Sequence, residues 1–174
     1  LERDGLLRIV CIYPEVMGLE DHLLKMQQEI EDFKPHRVAV DSLSALERIS
    51  TPKGFREFVI GLTSFIKHEE IAGLFTSTTP SLMGGTSVTE AHISTITDLI
   101  ILLRYVEFYG EMRRGITVLK MRGSIHEKQI REFSIDKTGM HIGDAFSQIT
   151  GIVSGRPRYK DSDNFEYIDD QLNF

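Results

Sequence analysis

Between Lys120 and Lys128 the chain reads Lys-Met-Arg-Gly-Ser-Ile-His-Glu-Lys. In an extended segment side chains alternate, so Lys120, Arg122, Ser124, His126 and Lys128 fall on one side, five donors with no carboxylate among them. Arginine offers a planar fork and lysine a point charge to phosphoryl oxygens, and a basic residue reaching in from outside a phosphate loop is how an arginine finger acts. The stripe suits a triphosphate; the same pattern also describes a solvated edge strand guarded by lysines. A second group centres on Asp41, which closes the apolar run Val38-Ala39-Val40. Ligands of open α/β sheets collect at the carboxyl ends of strands, where such a carboxylate orients a magnesium ion and its waters beside nucleotide phosphates. The alternative is that Asp41 caps the next helix. The third group is hydroxyl-rich: ten of the twenty-one residues from Ser77 to Thr97 are Ser or Thr, including the adjacent pair Ser94-Thr95. These are either phosphoryl acceptors, where a dianion would order or release a loop, or ordinary turn and cap residues.

Other chemistries are not supported. There is no G-x-x-x-x-G-K-[ST] motif, so these residues cannot cradle phosphates alone in the usual way. Glu69-Glu70 is a carboxylate pair, but it ends an amphipathic helical pattern and reads as solvent-facing. The six histidines show no close metal-ligand spacing with Cys11, and no Ser/His/Asp arrangement is defensible.

The elements that must position these groups follow from periodicity. Leu6 to Tyr13, stopped by Pro14, predicts a short apolar strand. Gly18 to Phe33 carries Leu23, Leu24, Met26 and Ile30 among charges and predicts a surface helix ended by Lys34-Pro35. Arg37 to Asp41 predicts a brief buried strand. Phe55, Phe58, Val59, Leu62, Phe65 and Ile66 share one helix face, and Ile71 to Thr76 predicts a third strand. Strands alternating with helices specify an α/β class with a mostly parallel sheet. Beyond the hydroxyl-rich stretch, Thr97–Tyr105, Gly115–Met121, Ile130–Ile135 and Met140–Ile142 read as strands on close turns, an antiparallel extension at one edge. From Ser154 onward the chain reads as a loop or tail.

With 174 residues, 41% of them hydrophobic, there is apolar mass for one packed domain. No apolar stretch approaches the ~20 residues that span a bilayer, which points to a soluble, cytoplasmic protein. Cys11 is the single cysteine, so no internal disulfide forms, and its apolar setting predicts a reduced, buried thiol. A net charge of -6 argues against broad nucleic-acid binding, although placement weighs more than the sum. The chain opens on Leu1 and runs directly into a strand-like segment, so further sequence is expected in front of it.

Five blocks in this order, Leu6 to Cys11, Gly18 to Leu23, Asp41 to Leu46, His92 to Asp98 and Lys120 to Ser124, resemble the second, C-terminal ATPase domain of the KaiC family of circadian-clock proteins. The resemblance covers about Leu6 to Gly155, and the Ser-Thr pair separates this domain from its N-terminal sister. It implies a RecA-like P-loop NTPase core with helices on both faces of the sheet, residues 1–155 forming the rear part and 156–174 a tail. The P-loop and paired catalytic glutamates would precede Leu1, so Glu69-Glu70 is not that pair. It further implies a homo-hexameric ring that binds ATP and Mg2+ between subunits and acts as autokinase, autophosphatase and ATPase. Ser94 and Thr95 then look like the phosphoacceptors, and Thr89 matches a threonine implicated in shuttling phosphate. Asp41 looks like the Walker B aspartate, which meets Mg2+ through water. Arg114, Lys120, Met121, Arg122, Ser124, His126 and Lys128 match positions approaching the neighbouring subunit's ATP, and Arg48 matches one that holds the phosphorylated pair. Clock proteins of the KaiA or KaiB kind, or a histidine kinase, are the implied partners. Ile125 stands where the family usually carries an aromatic, Glu90-Ala91 replaces Asp-Ser, and the KaiA-engaging tail is not recognisable after Gly155.

Two other readings use the same residues. A RecA- or RadA-type DNA-dependent motor shares the sheet order, but no Lys or Arg occurs between His68 and Leu103, where such motors place DNA-contacting loops. A non-catalytic interaction module follows from the missing P-loop and predicts that none is encoded upstream.

Overall fold

The computed structural model describes residues 1–78, 95–108, 110–147, 149–152 and 158–159. The described residues up to Thr97 form one compact unit and those from Asp98 a second.

The first unit is built on three helices and a parallel strand pair. A 3-10 turn at Pro14–Val16 precedes α1, Leu19–Phe33, and buried His22 ties the two together through Nε2, 2.9 Å from the Pro14 carbonyl. α1 ends where Lys34 enters the left-handed region, its N–H donating to Ile30 O at 2.7 Å, with Pro35 preventing continuation. β1 spans Arg37–Val40, α2 Leu43–Arg48, α3 Pro52–His68 and β2 Ala72–Phe75. α3 starts as its sequence requires: Thr51 Oγ1 accepts from Gly54 N at 3.1 Å, and Pro52 occupies the first turn, where no N–H is needed. Phe55, Phe58, Val59, Leu62 and Ile66 on one face of α3 form the core with Ile30, Leu43 and Leu46. Burying each such side chain contributes about 1.5–3 kcal/mol before the entropic cost of ordering it. At Gly61 an added Cβ would sit 3.0 Å from Leu23 Cδ2, so the glycine permits the close approach of α1 to α3.

β1 and β2 pair in parallel, Arg37 opposite Ala72 through Val40 opposite Phe75, and the ladder runs on through Thr76 N to Val40 O at 3.1 Å. β1 is not buried as expected. Only Val38 and Val40 are partly covered, because the helices pack on one face and alternate residues point away from it. The strand expected over Leu6 to Tyr13 is also absent. An apolar run becomes a strand only with a ladder partner, and this segment has none among the described residues. Cys11 within it is exposed rather than buried.

The second unit is a four-stranded antiparallel sheet in the order β3 (Leu99–Phe108), β4 (Glu111–Met121), β5 (Arg131–Asp136), β6 (Gly139–Ala145). Gly110, at φ +78°, supplies the left-handed conformation of the β3–β4 turn. Leu102, Val106 and Thr117 lie on the covered face, and Gly115 there admits Ile130, Val106 and Phe146 side chains within 3.5 Å of where a Cβ would stand. Two residues of the segment read as a tail, Arg158 and Tyr159, pair with Ile149–Thr150 as a short antiparallel ladder, β7–β8. The α/β class is as expected: a parallel pair under helices, and antiparallel strands following in sequence. Among the described residues no helix is long and apolar enough to cross a membrane.

Candidate functional site

In the first unit, Asp41 sits directly after β1, exposed, where Thr76 Oγ1 at the end of β2 donates to its Oδ1 at 2.5 Å. It does not cap the following helix: the N-cap position of α2 belongs to Ser42. The two carboxyl strand ends thus present one carboxylate and one hydroxyl. That donor set fits magnesium, which keeps several waters and takes one or two protein carboxylates together with phosphate oxygens. Among the described residues no cluster of three His, Cys, Asp or Glu side chains could hold a metal by itself. Beside Asp41, Ser44 Oγ accepts from Thr78 N at 2.7 Å and lies 3.2 Å from Ser77 Oγ, which fastens the chain leaving β2. Arg48 is exposed in the last turn of α2. Thr95 is exposed as well, and its neighbour Ile96 packs on the helical core. Thr89 and Ser94 lie outside the described residues, as does most of the hydroxyl-rich stretch.

The second unit carries the basic residues. Arg114 is exposed on β4 opposite Tyr105. Lys120 is half-buried near the end of β4, and Met121, its last residue, is exposed. Arg122 follows: its N–H donates to Asp98 O at 2.8 Å, and its Nη1 lies 3.2 Å from Asp98 Oδ1. Ser124 Oγ donates to Ile125 O at 3.0 Å; His126 is half-buried and Lys128 exposed.

The stripe expected over Lys120, Arg122, Ser124, His126 and Lys128 is corrected here. The strand ends at Met121 and the chain turns through Gly123 at φ +75°, so alternation does not run on to Lys128. Lys120 and Arg122 alone share a side. Two residues apart, they share it as alternation predicts; which face it is depends on a feature not legible in the pattern. Ile101 pairs with Val118 but Ile100 with Lys120, so Leu119 is an extra residue, a β-bulge. Opposed residues share a face, so the bulge puts Lys120 on the face of Ile100 and Leu102, with Arg122 in register opposite Asp98.

Three functional candidates escaped the sequence reading. Thr76 and Asp98 are single polar residues at strand ends, and only the partner strand shows what they face. Lys67, in the last turn of α3, reads as a lysine complementing the helix dipole, yet its Nζ donates to Ile96 O at 3.1 Å.

A family model described as "ATPase: KaiC" matches residues 8–146. The circadian clock protein KaiC3 of Synechocystis sp. is 70% identical over 159 residues, covering 91% of this chain and 32% of that protein. The circadian clock oscillator protein KaiC of Thermostichus vulcanus is 60% identical over 157 residues, 90% of this chain and 30% of that protein. Its counterpart from Synechococcus elongatus is 58% identical over the same coverage. The chain spans about a third of the length of the curated relatives it matches.

Proposed function

From the premise that this chain belongs to the KaiC ATPase family, we propose that it is the rear part of an ATP-dependent autokinase and ATPase domain with a circadian-clock or related signalling role. Residues 1–155 would form the domain's rear part and 156–174 its tail. The protein is cytoplasmic in this reading and works as a homo-hexameric ring, with clock proteins of the KaiA or KaiB kind, or a histidine kinase, as partners.

One observation supports the chemistry above others. Arg122 is tied to Asp98, three residues beyond Thr95 along the chain, so a cation is fixed to a residue close in sequence to the proposed acceptor. In the proposed reaction both approach ATP held by the adjacent subunit. The Thr95 or Ser94 oxygen attacks the γ-phosphorus, the bond to the β-bridging oxygen breaks, and ADP leaves. The hydroxyl proton passes to a general base expected upstream of Leu1. Lys120 and Arg122 place positive charge where negative charge grows on the transferring group, a term that in related phosphoryl transfers accounts for much of the rate. Arg114, Met121, Ser124, His126 and Lys128 complete the wall toward the nucleotide. Arg48 receives the phosphorylated pair, Thr89 relays phosphate, and reversal of the transfer to ADP removes it. Asp41, fixed by Thr76, would hold magnesium, and the ion when bound would supply neutralisation of phosphate charge.

Incubation of the full-length protein with Mg-ATP, followed by mapping of phosphate by mass spectrometry, tests the reading. Phosphate on Thr95 or Ser94 is the expected result. Absence from both, with ATP consumed, would discard the autokinase assignment.

A further inference from the structure

Thr95 is exposed and comes four residues before β3 in sequence, and among the described residues it belongs to no strand. In-line transfer demands that an acceptor oxygen reach within about 3–3.5 Å of phosphorus along one direction. Something must therefore fix the backbone around it.

The chain after Thr95 is gripped twice by α3. The side chain of Ile96 packs against the core formed by Phe55, Phe58, Val59, Leu62 and Ile66, and the Ile96 carbonyl accepts a charge-assisted hydrogen bond from Lys67 Nζ at 3.1 Å. A lysine in the last turn of a helix ordinarily serves the helix's own free carbonyls. Here three carbonyls of that turn have other partners: Phe65 O accepts from Glu69 N at 3.0 Å, Ile66 O from Ile71 N at 3.0 Å and Lys67 O from Glu70 N at 3.2 Å. The ammonium reaches a carbonyl 29 residues further along the chain. At the far end of the same stretch, Asp98 is held by Arg122 within the second unit.

We propose that Lys67 is a positioning residue for the phosphoacceptor Thr95, acting through the Ile96 carbonyl rather than by touching nucleotide. The inference rests on the reading of Thr95 as an acceptor. Lys67 keeps the peptide that follows Thr95 in one orientation, so the hydroxyl meets the neighbouring subunit's γ-phosphate without a search over backbone conformers. The ammonium stays with the carbonyl and contributes nothing to ATP affinity.

The experiment uses the full-length protein and its Lys67→Met, Lys67→Ala and Lys67→Arg variants with Mg-ATP. Phosphate on Thr95 is quantified by mass spectrometry over time, and KM for ATP is measured in the same preparations. Lys67→Met keeps the aliphatic stem and removes the donor; its rate of Thr95 phosphorylation falls about tenfold at unchanged KM, as does that of Lys67→Ala, while Lys67→Arg recovers to within about twofold. A wild-type rate in Lys67→Met overturns the inference and leaves Thr95 an acceptor. Equal loss in all three variants, or a KM that rises in step, also overturns it, because a structural role would behave that way. If the wild-type protein hydrolyses ATP and leaves Thr95 unmodified, the acceptor reading fails and the inference with it.

Discussion

Arg122 and Asp98 are joined twice, by a backbone hydrogen bond of 2.8 Å and by an ion pair of 3.2 Å between Nη1 and Oδ1. Both side chains remain about half exposed, 52% and 57%. Such a pair stabilises little, because water already solvates both charges. Its consequence is orientation: the guanidinium is aimed before any anion arrives.

The Asp98→Asn substitution should accordingly separate stability from rate. The unfolding free energy is expected to change by less than about 1 kcal/mol. The initial rate of Thr95 phosphorylation should fall about threefold to tenfold as Arg122 loses its fixed direction, against about 10³-fold for Arg122→Ala, which removes the cation. Denaturant melts and phosphate incorporation measure the two quantities. Equal rates for Asp98→Asn and the wild type would show that the pair orients nothing.

The bulge at Leu119 yields a prediction about register. Deleting Leu119 restores regular pairing and leaves Lys120 opposite Ile100, on the same face. KM for ATP should therefore stay within about twofold of the wild type, whereas Lys120→Met, which removes the cation, should raise it about tenfold, the loss of one charge-assisted contact, with the circular dichroism spectrum preserved in both. A deletion variant whose KM rises as far as that of Lys120→Met would show that the bulge itself, and not the pairing of Lys120, places the cation. An unchanged KM in Lys120→Met would remove Lys120 from the nucleotide site.

Much of the fold was legible because α3 states its own geometry: six apolar residues at helical spacing, a threonine cap and a proline in the first turn define one buried face. β1, β2 and the antiparallel strands follow from short β-rich runs between breakers. What could not be read depends on contacts distant in sequence. Leu6 to Tyr13 has strand composition, but a ladder needs a second strand, and composition says nothing of that. The donor stripe was drawn by extending a period of two through Gly123, where φ +75° turns the chain. A bulge changes face without changing composition, so Leu119 left no trace. Lys67 and Ile96 meet across 29 residues, and neither residue type announces the other.

Core packing in the first unit supplies a magnitude. Leu62 is 1% exposed at the centre of α3's inner face, while Leu74 on β2 is 64% exposed. Leu62→Ala should cost about 3 kcal/mol, the lost burial plus the cavity left behind. Leu74→Ala should stay within about 0.5 kcal/mol. Urea unfolding of the two variants tests the contrast, and similar losses would place the core elsewhere.

Arg104 presents the opposite case. On β3 it faces Gly115 across the ladder, and its Nε and Nη1 are buried without a hydrogen-bond partner. Donors withdrawn from water and left unsatisfied are destabilising, so Arg104→Met, which keeps an unbranched apolar stem, should stabilise by about 1 kcal/mol. A higher urea midpoint at unchanged slope is the expected readout. A loss of stability would reveal a partner that the guanidinium meets in the assembled protein.

The β5–β6 turn adds a pH dependence. Asp136 Oδ1 accepts from Thr138 Oγ1 at 2.6 Å, from Thr138 N at 2.7 Å and from His141 Nε2 at 3.1 Å. The Thr138 hydroxyl chiefly, then its N–H, then His141 hold the Asp136 carboxyl below its ordinary range. Since the folded value is the lower one, the turn gains stability that is complete above the unfolded carboxylate pKa of about 3.9 and disappears as pH falls through the folded value. A carbon-detected NMR titration should place the Asp136 midpoint below that of a free aspartate. Thr138→Ala removes the hydroxyl and keeps the N–H, so the midpoint should move back toward the ordinary value, further than it does in His141→Gln. An unmoved midpoint in Thr138→Ala would assign the depression to the backbone donor instead.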